Sequence, residues 1–211
     1  PNFLMKGDNL IYNNYYGIRL YSVSEKNYSA DLSFEDGFSV PGTIVFNNSE
    51  GFYIVSSLDN GVSGFNISGN VDWGMNLHGS GENFIYNNYF SNNTQHVRET
   101  NSNYWNTTKI SGTNILGGPY LGGNFWDTFN GSDISGDGIA DINFTPSDLP
   151  FTDFGTLLDP TELGDALPLV PVGNISCGDI SHSIELEGNL TAEGDCYNIL
   201  ADGVTFDCDG F

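Results

Sequence analysis

Apolar residues in this chain come in short bursts, each ended by Asn, Gly or Ser rather than continued at a helical spacing. Leu10-Ile11-Tyr12 runs into Asn13-Asn14, and the alternating stretch Gly17-Ile18-Arg19-Leu20 follows. The same order returns as Val45-Phe46-Asn47-Asn48 before Gly51-Phe52-Tyr53-Ile54, and as Ile67-Ser68-Gly69-Asn70 before Gly74-Met75-Asn76-Leu77. Asn83-Phe84-Ile85-Tyr86-Asn87-Asn88-Tyr89-Phe90 echoes Asn9-Leu10-Ile11-Tyr12-Asn13-Asn14-Tyr15-Tyr16. Each unit reads as a short strand, an Asn-containing bend and a second short strand. Where no insertion intervenes the units recur roughly 20 residues apart, the length of one coil of a parallel β-helix. No unit buries its apolar side alone, so the units must stack. Asn suits the bends because it tolerates the left-handed conformation, and in stacked coils its side chains form ladders. An antiparallel sandwich is the competing reading of the same short strands. Residues 22–42 interrupt the pattern and read as a hairpin or loop at the side.

Asn-Asn-Tyr followed by Gly-Ile-x-Leu resembles the right-handed β-helix repeats of NosD-like and pectate-lyase-like proteins. Further on, Asn103-Tyr104-Trp105-Asn106 leads to Gly117-Gly118-Pro119-Tyr120-Leu121-Gly122-Gly123-Asn124-Phe125-Trp126. This order resembles the closing segment of NosD-like β-helix proteins of archaeal surfaces. The resemblance implies an all-β fold of right-handed parallel β-helix coils with a Gly/aromatic cap, a cation loop and a linker. An exposed last coil needs covering, and Trp105, Tyr120, Phe125 and Trp126 are the candidate plug. Three segments follow: late coils over residues 1–116, the cap, loop and Pro-rich linker over 117–172, and opening coils of a second or intersubunit β-helix over 173–211.

The loop Asp133-Ile134-Ser135-Gly136-Asp137-Gly138-Ile139-Ala140-Asp141 places oxygen groups at alternate positions around a glycine. Such spacing suits a hard cation, and Ca²⁺ is the expected cofactor. Asp133, Ser135, Asp137 and Asp141 would supply side-chain oxygens and Ile139 its carbonyl. Phe144 occupies the position where a bidentate acid is expected, so the ligand set has a gap. The alternative is an acidic turn held by its own Asx-type hydrogen bonds.

Composition narrows the partners. The chain has 211 residues with 27 Asp and Glu against 5 Lys and Arg, a formal net charge of −22. That balance repels nucleic-acid phosphates and anionic membranes. The acids are dispersed among aromatic and β-branched residues, and 38% hydrophobic content supports a core. No apolar run reaches the ~18 residues of a membrane span, and the sequence from Pro1 does not open on a basic-plus-apolar leader, so neither a span nor a signal peptide is expected within it. Sequons begin at Asn27, Asn47, Asn66, Asn92, Asn106, Asn130, Asn143, Asn174 and Asn189, which fits a glycosylated extracellular or cell-surface protein.

The last segment resembles the opening coils of the same family, with Cys177-Gly178 at its start and Val204-Thr205-Phe206-Asp207-Cys208-Asp209-Gly210 at its end. Cys177 and Cys196 lie about one coil apart and are the favoured disulfide; Cys196 and Cys208 are the other candidate pair. Late coils, a cap and then opening coils imply open ends, so the expected partner is the chain itself, head to tail, or neighbouring modules of a longer chain. The function expected is a non-enzymatic building block of a surface, sheath or filament. A carbohydrate-binding adhesin with Tyr12, Tyr15, Tyr16, Tyr86 and Tyr89 as its aromatic face is one alternative. A polysaccharide-active enzyme is another, but Lys6, Arg19, Lys26, Arg98 and Lys109 do not cluster with acids in sequence. A copper site calls for soft ligands, whereas His78, His96 and His182 are scattered and Met75-x-x-His78 is a weak pair.

Overall fold

The computed structural model describes residues 3–5, 9–30, 32–35, 38–41, 43–133, 137–145, 165, 167–171, 178–180, 184–185, 197–200, 202–203 and 205–207. In chain order the strands are β1 (Phe3–Met5), β2 (Asn9–Tyr12), β3 (Tyr16–Tyr21), β4 (Asn27–Ala30), β5 (Leu32–Glu35), β6 (Phe38–Pro41) and β7 (Thr43–Phe46). They continue as β8 (Glu50–Val55), β9 (Gly61–Ser63), β10 (Phe65–Ser68), β11 (Trp73–His78), β12 (Phe84–Ile85), β13 (Tyr89–Ser91) and β14 (Gln95–Glu99). Shorter ones follow: β15 (Ile110–Ser111), β16 (Tyr120–Leu121), β17 (Phe125–Trp126), β18 (Gly178–Ile180), β19 (Ile184–Glu185), β20 (Tyr197–Ile199) and β21 (Phe206–Asp207). The protein is all-β, with no helix among the described residues.

Three parallel sheets dominate. Sheet A has the order β1-β4-β9-β12, sheet B β17-β13-β10-β7-β2, and sheet C β14-β11-β8-β3. The chain gives one strand to B, then to C, then to A, and repeats that order with β7-β8-β9, β10-β11-β12 and β13-β14. Parallel pairing throughout these sheets excludes the antiparallel sandwich. The interruption after Ser22 is narrower than its sequence suggests, because Ser24 still bridges Leu58 and β4 still pairs with β9. Within the interruption, β5 and β6 form an antiparallel hairpin of their own.

The bends explain why Asn recurs in pairs. Asn13, Asn47 and Asn92 all have φ between 51° and 59°, and Gly69 takes the equivalent place at 60°. Each is followed by an Asn whose side chain turns inward. Asn14 donates its N–H and its amide to Asn48 Oδ1 at 3.0 and 3.3 Å. Asn48 does the same to Asn70 at 3.1 and 3.2 Å, and Asn70 to Asn93 at 3.0 and 2.9 Å. A second ladder runs from Asn60 through Asn83 to Asn103, and a third from Asn88 to Asn124. Asn-Asn therefore divides two tasks: the first residue accepts the left-handed turn, and the second satisfies buried backbone groups between passes.

Between the bends, alternate residues face the interior in stacked rows. Ile11, Val45, Ile67, Phe90 and Trp126 align along sheet B, while Ile18, Phe52, Met75 and Val97 align along sheet C. These rows join one apolar cluster with Val62 and Ile85 of sheet A. The row Leu20, Ile54, Leu77 ends differently, at Glu99. Gly17, Gly51 and Gly74 stack where passes touch, and a Cβ on Gly74 would stand 2.6 Å from the His96 carbonyl oxygen.

Candidate functional site

Every ladder ends, at the β17 side of the stack, on a group that can titrate. Asn93 donates its amide to His96 Nδ1 at 3.3 Å, and His96 Nε2 lies 2.8 Å from Asp127 Oδ1. Asn103 donates to Glu99 Oε2 at 2.9 Å, where the Trp105 indole N–H also arrives at 3.3 Å. Asn124 donates its backbone N–H to Asp165 Oδ2 at 2.6 Å, and Trp126 donates its indole N–H there at 2.9 Å. Burial pushes the carboxyls of both Glu99 and Asp165 up to about 7, against the pull of these donors.

Trp105 and Trp126 are fully buried, with ring centroids 5.8 Å apart, and Trp126 stacks on Phe90 at 4.5 Å. Phe129 and Phe144 extend this plug, 5.0 Å from each other. Phe144, out of place as a cation ligand, thus has a packing role against Trp126 at 5.5 Å. The other two expected plug residues lie elsewhere. Tyr120 and Phe125 pack with Ile115, Ile139 and Leu169 in a second cluster, where Phe125 stacks on Tyr89 at 4.4 Å. β17, inside the 117–172 segment, supplies the fifth strand of sheet B. Asp165 and Leu169, from the Pro-rich stretch, form antiparallel bridges to Phe144 and Ile139. Asp165 escaped the sequence reading because nothing local marks it; its role depends on a contact 41 residues away.

In the acidic loop, the Asp133 carboxylate is buried and accepts the N–H groups of Asp137 and Gly138 at 3.2 and 2.7 Å. Asp137 accepts the Ile139 N–H at 2.8 Å with one oxygen and pairs with Lys109 through the other. Ile139 is itself packed in the second cluster, Asp141 is exposed, and Ser135 lies outside the described residues. Among the sequons, Asn47, Asn92, Asn130 and Asn143 are exposed, while Asn66 and Asn106 are half-buried. The side chain of Asn27, and Asn174 and Asn189 altogether, lie outside the described residues, as do Cys177, Cys196 and Cys208. The notional Tyr face divides: Tyr12 stacks on Phe46 at 5.1 Å on sheet B, whereas Tyr16 stacks on Tyr53 at 4.5 Å on sheet C. Tyr15 is exposed at 65%, and Tyr86 and Tyr89 are half-buried.

Parallel passes with an Asn-lined, aromatic-sealed interior define an all-β repeat protein. A profile of the family described as Periplasmic copper-binding protein (NosD), a parallel β-helix family, matches residues 5–131. That match covers more than half of the chain, and the chain belongs to this family. No curated protein and no solved structure matches it significantly. The family is periplasmic, hence exported, and no helix among the described residues is long and apolar enough to cross a membrane.

The family corrects the expected cofactor. Its description names copper, not Ca²⁺, and the loop oxygens of Asp133 and Asp137 are taken by backbone N–H groups and Lys109. Among the described residues no three His, Cys, Asp or Glu side chains gather to hold a metal. The copper ligands expected of such a family do not assemble there either. Met75 is fully buried and His78 exposed, on opposite faces of β11, and His96 is engaged by Asn93 and Asp127.

Proposed function

We propose that the chain is a non-enzymatic structural module of an exported, cell-surface protein. In this reading it is a right-handed parallel β-helix with a cap and linker, followed from residue 173 by opening coils of a second β-helix. One observation carries the proposal: the laddered amides and the apolar rows of the inner faces join one pass to the next. Asn70 alone accepts two hydrogen bonds from Asn48 and donates to Val45 O and to Asn93. A stack built this way resists bending and shear, because each pass is hydrogen-bonded through backbone and side chain at every corner. The parallel pairs β18 with β20 and β19 with β21 support a second coil region.

Assembly through stacking follows the same physics. β2 and β3 lie at the edges of sheets B and C, and a neighbouring module or second copy bearing Asn at the ladder position would continue both sheets. The exposed sequons at Asn47, Asn92, Asn130 and Asn143 support an extracellular, glycosylated surface.

Negative-stain images of the concentrated protein should contain rods longer than one chain. Uniform single particles would remove the head-to-tail part of the reading. Incubation with a panel of polysaccharides should release no reducing or unsaturated ends, and release of either would overturn the non-enzymatic part.

A further inference from the structure

We propose that the outer face of sheet C binds an extended acidic glycan, with Arg19 and Arg98 holding two carboxylates of the same saccharide strand. This goes beyond the structural reading and stands on separate observations. The chain has five basic residues in all, and both of its arginines project from this one face. They occupy one row of the sheet, in the register Arg19↔Tyr53, Tyr53↔Asn76 and Asn76↔Arg98. Three strand spacings separate them, about 14 Å along the stack.

Neither arginine has an acid within 4 Å among the described residues, although Arg98 lies close enough to Glu50 to favour its charged form. Among the described residues the ion pairs within 4 Å are His96–Asp127 and Lys109–Asp137, although the chain carries 27 acids. Aromatic rings hold the guanidinium groups instead. Arg19 lies over Tyr16, Tyr21 and Tyr53 at 5.5, 5.6 and 5.8 Å, and Arg98 lies over Trp73 at 5.6 Å. Both arginines are exposed. Ring contact restricts the side chain and leaves the in-plane N–H donors open, which is the state that binds a carboxylate through two parallel hydrogen bonds.

Glu50 is buried and accepts the Asn76 amide at 2.9 Å; burial raises its pKa and nearby Arg98 acts in the opposite direction, so one carboxylate of the protein lies beside the row, held by Asn76. The overall charge of −22 opposes a polyanion at long range, but ions screen it beyond about 8 Å at physiological salt. Recognition is therefore local, at two fixed cations. An extended saccharide suits the flat, parallel-stranded face, and half-buried Tyr16, Tyr53 and Trp73 supply amphipathic ring surface between the cations.

Titration calorimetry of the whole chain tests this, with hexagalacturonate as probe, a neutral glucan hexasaccharide as control and polyglutamate as a carboxylate without sugar. Hexagalacturonate should bind, and more weakly as sodium chloride is raised. Arg19→Ala and Arg98→Ala should each weaken it about tenfold or more, with unfolding temperatures unchanged. Arg98→Lys should recover part of the loss, and Lys109→Ala, outside sheet C, none of it should incur. Absence of binding, equal binding of the neutral glucan, equal binding of polyglutamate, or indifference to both Arg→Ala changes would each overturn the proposal.

Discussion

At the residue scale the asparagines are the most informative feature. Sequence alone marks Asn-Asn as a bend; the structure separates the left-handed Asn47 from the laddered, fully buried Asn48. Replacing Asn70 by Ala would take the acceptor from the Asn48 N–H and the amide donor from the Val45 carbonyl, and each buried unpaired group costs about 1–3 kcal/mol, while the Asn48 amide keeps Ile11 and Phe46. Urea unfolding should accordingly show a loss of about 2 kcal/mol or more, whereas Asn130→Ala, at an exposed position, should change little. Gly74→Ala should cost about 1–3 kcal/mol, since the added Cβ meets the His96 carbonyl across the stack. The two perturbed acids set a pH dependence whose sign is unusual for carboxyls. Glu99 and Asp165 have folded values near 7, above their ordinary 4.5 and 3.8, so the folded state keeps protons that the unfolded chain has already lost. Their contribution is full below about pH 4, declines as pH rises to about 7, and is then lost, with a limiting slope of about 1.4 kcal/mol per pH unit for each group. Gln at position 99 keeps an oxygen for Asn103 and Trp105 while removing the titration. The stability of Glu99→Gln relative to the parent should therefore rise with pH over that window, measured by thermal unfolding across a pH series.

At the scale of elements, the recurrence of two short strands joined by an Asn bend was legible from the bursts of apolar residues, whereas the third strand of each pass, in sheet A, was not. The cap was only half legible. Trp105 and Trp126 lie in the inner cluster, whereas Tyr120 and Phe125 pack in a second cluster with Ile115, Ile139 and Leu169. Aromatic composition announces burial without saying against which surface. Phe144 shows the same limit, since in a row of acids it reads as a defect and in space it completes the plug with Phe129. Trp126→Ala should cost about 3–5 kcal/mol, and Phe144→Ala about the same or less, by denaturant titration. Should both prove near-neutral, the stack does not depend on its seal. In the last segment, β18 and β20 pair with Gly178 opposite Tyr197. The favoured Cys177–Cys196 bridge rests on their spacing of about one coil in the sequence, and peptide mapping without reductant distinguishes it from Cys196–Cys208.

At the scale of the whole molecule, dispersed charge and local order act in different directions. A net charge of −22 repels itself in the folded state, so moderate sodium chloride should raise the unfolding temperature, and a fall would point to stabilising ion pairs outweighing the repulsion. The sequence by itself determined the all-β class, the repeat, the bends and the acidic surface, because these follow from residue type and spacing within a single pass. Tertiary structure alone decided what meets across passes. Arg19, Tyr53, Asn76 and Arg98 are scattered over four strands and become one row only through the parallel register. Asp165, unremarkable in a proline-rich stretch, becomes the terminus of a ladder when Asn124 and Trp126 donate to it. The acidic loop reads as a cation site until Lys109 and the backbone N–H groups are seen to claim its oxygens. The physical reason is common to all three: spacing along a chain specifies which groups a short segment can offer, while the partner that consumes them arrives from a distant pass.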